Sequence, residues 1–66
     1  MVNKIKIFRK NLNFTQEELA KKLHVTRQTI NAIENNKYNP TLELAMKLAR
    51  ILNTTVEELF ELDCDS

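Results

Sequence analysis

Amide and guanidinium side chains are concentrated in one short segment of this 66-residue chain, and such groups can pair with the edges of nucleobases. Arg27, Gln28, Asn31 and Asn35 lie within nine residues of one another. Gln and Asn amides can bond to adenine N6 and N7, and Arg can bond to guanine O6 and N7, in the major groove of DNA. This chemistry requires that the surrounding elements hold these side chains outward.

The apolar residues of the same segment predict a helix with the polar side chains on its outer face. At about 100° per residue, Ile30 and Ile33 fall on one side of a helix over 27–35, and the amide side chains fall on the opposite side. The segment therefore predicts an amphipathic helix whose outer face could enter the major groove.

A second helix is predicted directly before it, over 16–23. Thr15 and Glu18 have the spacing of a capping box. A three-residue turn, His24 to Thr26, separates the two helices, and Thr26 can cap the second one. Two short capped helices joined by a tight turn are typical of helix-turn-helix DNA-binding proteins. An ordinary amphipathic hairpin whose polar side faces water is the alternative, but caps, turn and face composition together favour DNA binding.

The rest of the chain predicts three further helices. Apolar stripes indicate helices over about 4–12, 42–52 and 56–61, and they assign inward positions to Leu12 and Leu42. The expected fold is therefore all-α, a five-helix bundle that contains the helix-turn-helix pair.

Helix ends recur in one form although the chain contains no glycine. Among non-glycine residues, Asn and His are enriched in the left-handed backbone that ends many helices. Such residues are expected to end four of the helices: Asn13, His24, Asn36 and Asn53. Thr55 and Glu58 have the spacing of a further capping box before the last helix.

The two ends of the chain are candidates for a short β-pairing. Phe60 and Leu62 alternate as in a strand, and residues 1–3 could form the opposing strand. No linker, repeat or low-complexity tract interrupts the sequence, so one helix-turn-helix domain is expected over residues 1–66.

Association between copies is expected to support so small a core. A single core below about 70 residues rarely supplies more than about 3–5 kcal/mol. Cys64 is the only cysteine, so no internal disulfide is possible; with His24 it cannot build a metal site, and neither metal nor cofactor is expected. A homodimer is therefore predicted, although the same apolar residues could instead close the monomer core. The candidate interface residues are Leu44, Ile51, Leu59, Phe60 and Leu62.

The net charge of +1 combines a basic first part with an acidic second part. Residues 1–41 contain eight Lys or Arg against three Glu, whereas residues 42–66 contain two against six acidic residues. A basic region suits phosphate, which dominates affinity for nucleic acid. The acidic region is expected to face away from the duplex and to be available to a partner subunit. Scattered charges that only maintain solubility are the alternative.

Other classes of protein are disfavoured by the sequence. No apolar run exceeds three residues, so neither a membrane span nor a signal peptide is expected. A lone cysteine is consistent with a reducing cytoplasm. There is no glycine-rich loop and no nucleophile beside a base, and acidic neighbours disfavour the thiolate of Cys64, so an enzyme is not expected.

Together these features resemble the phage repressor and Cro-type, or XRE-like, helix-turn-helix family over residues 4–61. The resemblance depends on the Thr-Gln-Glu-Glu-Leu-Ala sequence of residues 15–20, the Ile-x-x-Ile-Glu pattern of residues 30–34 and the Asn-Pro-Thr-Leu sequence of residues 39–42. It is strongest to compact stand-alone members such as the cytolysin-operon repressor. Family members usually have Gly where this chain has Asn or His at its helix ends.

The resemblance implies which residues contact bases. Arg27 and Gln28 correspond to the principal base-contacting positions, and Thr29 and Asn31 correspond to secondary ones. Gln16 is implied to bind phosphate at the start of its helix and to brace Arg27 or Gln28.

The resemblance also implies supporting roles. Arg9 and Glu34 are expected to form a structural ion pair between the first and third helices. Further phosphate contacts are implied around the third helix and the loop after it, from Thr26, Asn35, Lys37, Tyr38 and Asn39.

These expectations combine into one predicted function. The chain is predicted to be a transcriptional regulator, a repressor, that binds an inverted-repeat operator as a homodimer through helix 27–35. Double-stranded DNA and a second copy are the expected partners, without a membrane or a small-molecule ligand. The alternative is an antitoxin-like or adaptor module that acts mainly through a protein partner.

Overall fold

Five helices and two short strands form within residues 2–61, the part of the chain that the computed structural model describes. In chain order the elements are β1 Val2–Asn3, α1 Ile5–Asn11, α2 Gln16–Leu23, α3 Arg27–Glu34, α4 Leu42–Ile51, α5 Val56–Leu59 and β2 Phe60–Glu61. The five predicted helices are confirmed, with ends that differ from expectation by at most two residues. The mostly helical fold with a helix-turn-helix pair is thereby confirmed.

Threonine side chains determine where four helices of the described region begin. Each hydroxyl accepts a hydrogen bond from the backbone N–H three residues later, which satisfies a donor that has no partner inside the helix. The capping residues are Thr15, Thr26, Thr41 and Thr55. At Thr15 the capping box is complete, because the Glu18 carboxylate accepts from the Thr15 N–H at 2.8 Å.

The prediction of a second capping box, at Thr55 and Glu58, is wrong for one of its two hydrogen bonds. Thr55 Oγ1 accepts from the Glu58 N–H at 3.1 Å, as predicted. The Glu58 carboxylate instead accepts from the Thr54 hydroxyl, at 3.3 Å. Thr54 therefore supplies a competing donor that the spacing of the box does not reveal.

Left-handed residues end four helices of residues 2–61. They are Asn13, His24, Asn36 and Asn53, with φ between 58° and 61°. In each turn, the backbone N–H groups of this residue and of the next one donate to carbonyls of the preceding helix. The prediction that Asn and His replace glycine at these ends is confirmed.

The core lies where α2 packs against α3 and α4, and α4 packs against α5. Its fully buried side chains are Ile5, Leu19, Ile30, Ile33, Leu48, Leu52 and Leu59. The inward positions predicted for Leu12 and Leu42 are wrong, because these residues are 42% and 72% exposed. Leu12 follows the last residue of α1, and Leu42 lies about 120° around α4 from Leu48.

The two ends of the described chain meet in an antiparallel strand pair. Val2 lies opposite Glu61 and Asn3 opposite Phe60, which confirms the predicted terminal pairing. The helix α5 is shorter than predicted, because Phe60 is already extended with φ −124° and ψ 137°. Met1 and Leu62, which the prediction included, lie outside the described residues.

Two negative findings concern residues 2–61 only. No helix in this range is long and apolar enough to span a membrane. The same residues contain no group of three His, Cys, Asp or Glu side chains arranged to hold a metal ion.

Candidate nucleic-acid interface

The outer face of α3 carries the side chains with the chemistry to contact bases. Ile30 and Ile33 are each 1% exposed and pack into the core on the inner face. Because these two residues fix the inner face, Gln28, Asn31 and Asn35 lie opposite it and project into solvent, and Arg27 is exposed on the flank of the first turn. We refer to these four exposed residues as the α3 outer face.

Hydrogen bonds within α3 tie the later part of this face together. The Asn35 amide donates to the Asn31 carbonyl at 2.9 Å and to Asn31 Oδ1 at 3.1 Å. At the start of the helix, the Thr26 and Thr29 hydroxyls lie 3.0 Å apart and share a hydrogen bond. Both threonines therefore serve the helix itself, in addition to any contact they make with a ligand.

A buried carboxylate fixes the end of α3 against α1. Glu34, whose side chain is 3% exposed, accepts from Arg9 Nε at 2.7 Å and from Arg9 Nη2 at 3.3 Å. Arg9 Nη1 donates to the Phe14 carbonyl at 2.8 Å. The structure thus contains the ion pair predicted between the first and third helices. Two parallel N–H···O bonds restrain direction as well as distance, so the pair orients α3.

Gln16 belongs to this network through a partner that was not predicted. Gln16 Nε2 donates to Glu34 Oε1 at 3.1 Å, and the predicted brace on Arg27 or Gln28 stays a prediction. The charged Glu34 carboxylate is a stronger acceptor than the neutral Gln28 side chain, whereas Arg27 has only donors and would bond through Gln16 Oε1. The bond ties the start of α2 to the end of α3, which stabilises the angle between the two helices.

A groove at the start of α2 contains a basic residue that the sequence analysis missed. Its walls include Lys10, Thr15, Gln16 and Arg27, with Glu17 as an acidic member. Lys10 and Arg27 are exposed cations from different helices, and the N–H groups at the start of α2 carry partial positive charge. No sequence signal indicates Lys10, because only the packing of α1 brings it to the same groove as α3.

The loop after α3 continues the exposed polar surface. Lys37, Tyr38 and Asn39 are exposed, and the chain reverses just before them at Asn36, where φ is 60°. The loop presents an ammonium group, a phenol and an amide directly after the α3 outer face. These side-chain types bond to phosphate oxygens in protein–DNA complexes.

Of the residues predicted to form a subunit interface, four lie in the described range, and their burial differs. Leu59 is 0% exposed in the core of a single chain, so its predicted contact with a second copy is wrong. It is buried because it anchors the single turn of α5. Leu44 and Ile51 are half-buried against the core, and Phe60 lines a different hollow from Ile51. Leu62 lies outside the described residues.

Comparison with known proteins identifies the family. The family model described as helix-turn-helix matches residues 5–59, which include all five helices of the described region. This chain belongs to the helix-turn-helix family. An uncharacterized HTH-type transcriptional regulator of Archaeoglobus fulgidus is 51% identical over 63 residues, covering 96% of this chain and 89% of that protein. The similarity between the two helix-turn-helix proteins therefore extends well beyond α2 and α3.

Two longer proteins match most of the length of this chain. The solved structure of a hypothetical transcription factor, NHTF from Neisseria, matches with a TM-score of 0.75 and 30% identity. The match covers 82% of this chain and 61% of the Neisseria chain. Antitoxin HipB of Escherichia coli is 36% identical over 56 residues, which are 85% of this chain and 64% of HipB. The names of these relatives describe regulators and an antitoxin rather than enzymes.

Proposed function

We propose that this helix-turn-helix protein is a sequence-specific transcriptional repressor that binds an inverted-repeat operator as a homodimer through α3. The observation that carries the proposal is the two-sided arrangement of α3. Its inner face is fixed by Ile30, Ile33 and the Glu34 ion pair, whereas its outer face presents guanidinium and amide groups. A rigid helix with such an outer face fits the major groove.

Arg27 and Gln28 are the proposed base-discriminating residues. Both are exposed and adjacent in the first turn of α3, the part of such a helix that contacts base edges. The Arg27 guanidinium fits guanine O6 and N7, and the Gln28 amide fits adenine N6 and N7. Thr29 and Asn31 are secondary, because both already take part in hydrogen bonds within α3.

Two sets of polar groups near α3 are proposed to bind phosphate and so to set the register on the duplex. One set lies in the groove with Lys10 and Gln16, and the other lies in the loop 37–39. Because the Gln16 amide is bonded to Glu34, we assign its phosphate contact to the backbone N–H at the start of α2. The proposed phosphate-contacting residues are Lys10, Gln16, Thr26, Asn35, Lys37, Tyr38 and Asn39.

A second copy of the chain is proposed to cover one exposed apolar surface beside α5. Leu42 and Met46 are 72% and 57% exposed on the same side of α4. Val56 and Phe60 line hollows next to them. Contiguous exposed apolar side chains are a common mark of a protein–protein interface. We refer to Leu42, Met46, Val56 and Phe60 as the apolar face.

The charges beside the apolar face favour a second copy as its partner. Glu43, Lys47 and Arg50 share a hollow with Leu42 and Met46. Glu43 and Arg50 are seven residues apart and therefore lie on the same side of the helix. In a two-fold pair of antiparallel α4 helices, Glu43 of each copy would lie beside Arg50 of the other. In that arrangement Glu43, which already pairs with Lys47 of its own chain at 3.3 Å, gains a second cation from the partner, so the proposed contact is complementary in charge.

Selection of binding sites from random duplex DNA tests the proposal. The expected result is an inverted repeat whose half-sites lie about one helical turn, roughly 34 Å, apart. The variant Arg27→Ala with Gln28→Ala is the matched control, and it should lose the preferred sequence while remaining folded. Recovery of no preferred sequence would contradict specific binding, and recovery of single half-sites would contradict the dimer.

Repression is tested by placing the selected site across a promoter. Occupied DNA excludes the transcription machinery, so the chain is expected to lower reporter transcription, and the base-contact variant is expected not to. Increased transcription would contradict the proposed sign of regulation without affecting the proposed DNA binding.

An antitoxin-like module is the second candidate function. Similarity to HipB over 85% of this chain favours it. Purification from the native host at natural expression separates the two candidates. A second protein recovered in equal amount would support the antitoxin-like function, whereas recovery of the homodimer with operator DNA would contradict it.

A further inference from the structure

Asn3 connects the terminal strand pair to the end of α3. Its side-chain amide donates to the Ile33 carbonyl at 2.6 Å and to Asn36 Oδ1 at 2.9 Å. Its own Oδ1 accepts from the Ile5 N–H at 3.2 Å. One half-buried side chain therefore bonds both to the start of α1 and to the last turn of α3.

The turn that Asn3 contacts already satisfies its own backbone. The Asn36 N–H donates to the Ile33 carbonyl at 3.1 Å, and the Lys37 N–H donates to the Ala32 carbonyl at 2.9 Å. This pattern is sufficient to end a helix. It recurs in the other left-handed turns of residues 2–61, at Asn13, His24 and Asn53. The two bonds from Asn3 are therefore an addition to the end of α3 and not a requirement for it.

The backbone around Asn3 is itself held on the opposite side. The Lys4 N–H donates to the Leu59 carbonyl at 2.7 Å, and Asn3 lies opposite Phe60 in the strand pair. Leu59 is fully buried, so this backbone is attached to the core. The Asn3 amide can consequently oppose movement of the end of α3.

We propose that Asn3 is a positioning residue for DNA recognition, which fixes the end of α3 and the start of the loop 37–39. The inference rests on the DNA-binding function proposed above. The α3 outer face precedes this point and the proposed phosphate contacts of the loop follow it, so Asn3 sets their relative geometry. A surface held in its bound arrangement loses less conformational freedom on binding.

The ion pair of Arg9 and Glu34 and the Asn3 amide hold the end of α3 from different elements. Arg9 bonds from α1, whereas Asn3 bonds from β1. Arg9 and Gln16 both hold the Glu34 side chain, whereas Asn3 holds the Ile33 carbonyl and the Asn36 side chain, from which the loop 37–39 continues.

Three substitutions separate positioning from stability. Asn3→Ser retains a hydroxyl that can accept from the Ile5 N–H but is too short to reach both acceptors at the end of α3. Asn36→Gly keeps the positive φ, which glycine adopts freely, and removes only one of the two acceptors. Asn53→Ala is the matched control, because it disturbs the same kind of turn at the end of α4.

Two quantities are measured at a temperature where circular dichroism shows every variant to be folded. They are the affinity for the selected duplex and the amide hydrogen exchange rate of Lys37. Asn3→Ser is expected to weaken binding and to accelerate this exchange by roughly 2- to 10-fold, the equivalent of one net hydrogen bond. Asn36→Gly should have a smaller effect of the same kind. Asn53→Ala should leave both quantities unchanged.

Several outcomes would overturn the inference. One is wild-type affinity with wild-type exchange of Lys37 in Asn3→Ser. Another is faster exchange throughout the core, because it would indicate lower global stability instead of local release. If Asn3→Ser does not fold, Asn36→Gly decides by the same measurements. If the wild-type chain prefers no duplex sequence, the proposed function is wrong. Independently of that result, unchanged Lys37 exchange in Asn3→Ser would show that Asn3 does not restrain the end of α3.

Discussion

The exposed faces of α3 and α4 differ in chemistry although both helices pack on the same core. The α3 outer face consists of three amides and one guanidinium, whereas α4 exposes Leu42 and Met46 at 72% and 57%. Amide groups can exchange bonds to water for bonds to base edges. Apolar groups stabilise an association when another surface covers them and removes them from water. The two faces are therefore suited to different partners, DNA for α3 and protein for α4.

The inner faces of the two helices differ as well. Beneath α3, hydrogen bonds from Arg9 and Asn3 supplement the apolar contacts, whereas α4 is anchored by the apolar residues Ala45, Leu48 and Ala49. Hydrogen bonds restrict angles, but the hydrophobic effect is non-directional. A helix that must match donors and acceptors on bases needs the stricter orientation, and a helix that presents an apolar surface does not.

Removing one member of the buried ion pair should have the largest effect, because it breaks the polar support of α3. Arg9→Ala leaves the Glu34 carboxylate buried without its charged partner, which generally costs about 3–5 kcal/mol of folding stability. Urea denaturation followed by circular dichroism measures the change. The control is Arg9→Met with Glu34→Leu, which should be far less destabilising because no buried charge remains. A loss below about 1 kcal/mol for Arg9→Ala, as for a surface ion pair, would contradict the supporting role.

Making the apolar face polar tests whether α4 serves association. Leu42→Ser with Met46→Ser is expected to weaken the dimer by at least about 3 kcal/mol per subunit, since burial of each such side chain contributes about 1.5–3 kcal/mol. Sedimentation over a concentration series measures the change. Ile7→Ser is the control, because Ile7 is 59% exposed on α1, away from this face. If the two variants associate equally strongly, α4 is not part of the interface.

The parts of the fold that could be predicted depend on residues close together in the sequence. A threonine cap acts on an N–H three residues later, and a left-handed turn depends on the tolerance of one Asn or His residue. The helices α2 and α3 were therefore predicted almost to the residue. The ion pair of Arg9 and Glu34 was predicted by family resemblance instead, because its members are far apart in sequence.

Most of the errors and omissions concern residues whose neighbours are distant in the sequence, and the capping box at Thr55 is the local exception. Gln16 bonds to Glu34, and Lys10 shares a groove with Arg27 only because the helices pack together. Leu42 was predicted in the core and is exposed, whereas Leu59 was predicted at the interface and is buried. An apolar residue type shows that a side chain favours burial, but it does not show whether its own chain or another one covers it.

Base contacts and phosphate contacts near α3 should respond differently to truncation. Gln28→Ala is expected to weaken binding to the selected site by about 1–3 kcal/mol and to relax the preference at one base pair. Lys37→Ala is the matched comparison, and it should weaken binding to all duplexes alike. It should also lower the slope of the logarithm of the binding constant against the logarithm of salt concentration by about one. Fluorescence anisotropy over a salt series measures both. Equal loss on all sequences for Gln28→Ala would contradict base discrimination by the α3 outer face.

Changing the cap of α2 should have the smallest effect on the unfolding free energy. This polar contact is exposed, whereas the hydrogen-bond network under α3 is buried. The Thr15 backbone N–H donates to Glu18 and lowers the pKa of that carboxyl from its ordinary value of 4.5. The unfolded chain then binds the proton more readily, so Glu18 stabilises the fold above about pH 4.5 and loses this contribution as pH falls through the lower folded pKa. Glu18→Gln should therefore reduce the acid-side slope of the unfolding free energy, measured by urea denaturation at several pH values. Glu17→Gln removes the same charge without the bond to Thr15, so an identical slope in the two variants would show that the capping bond contributes nothing.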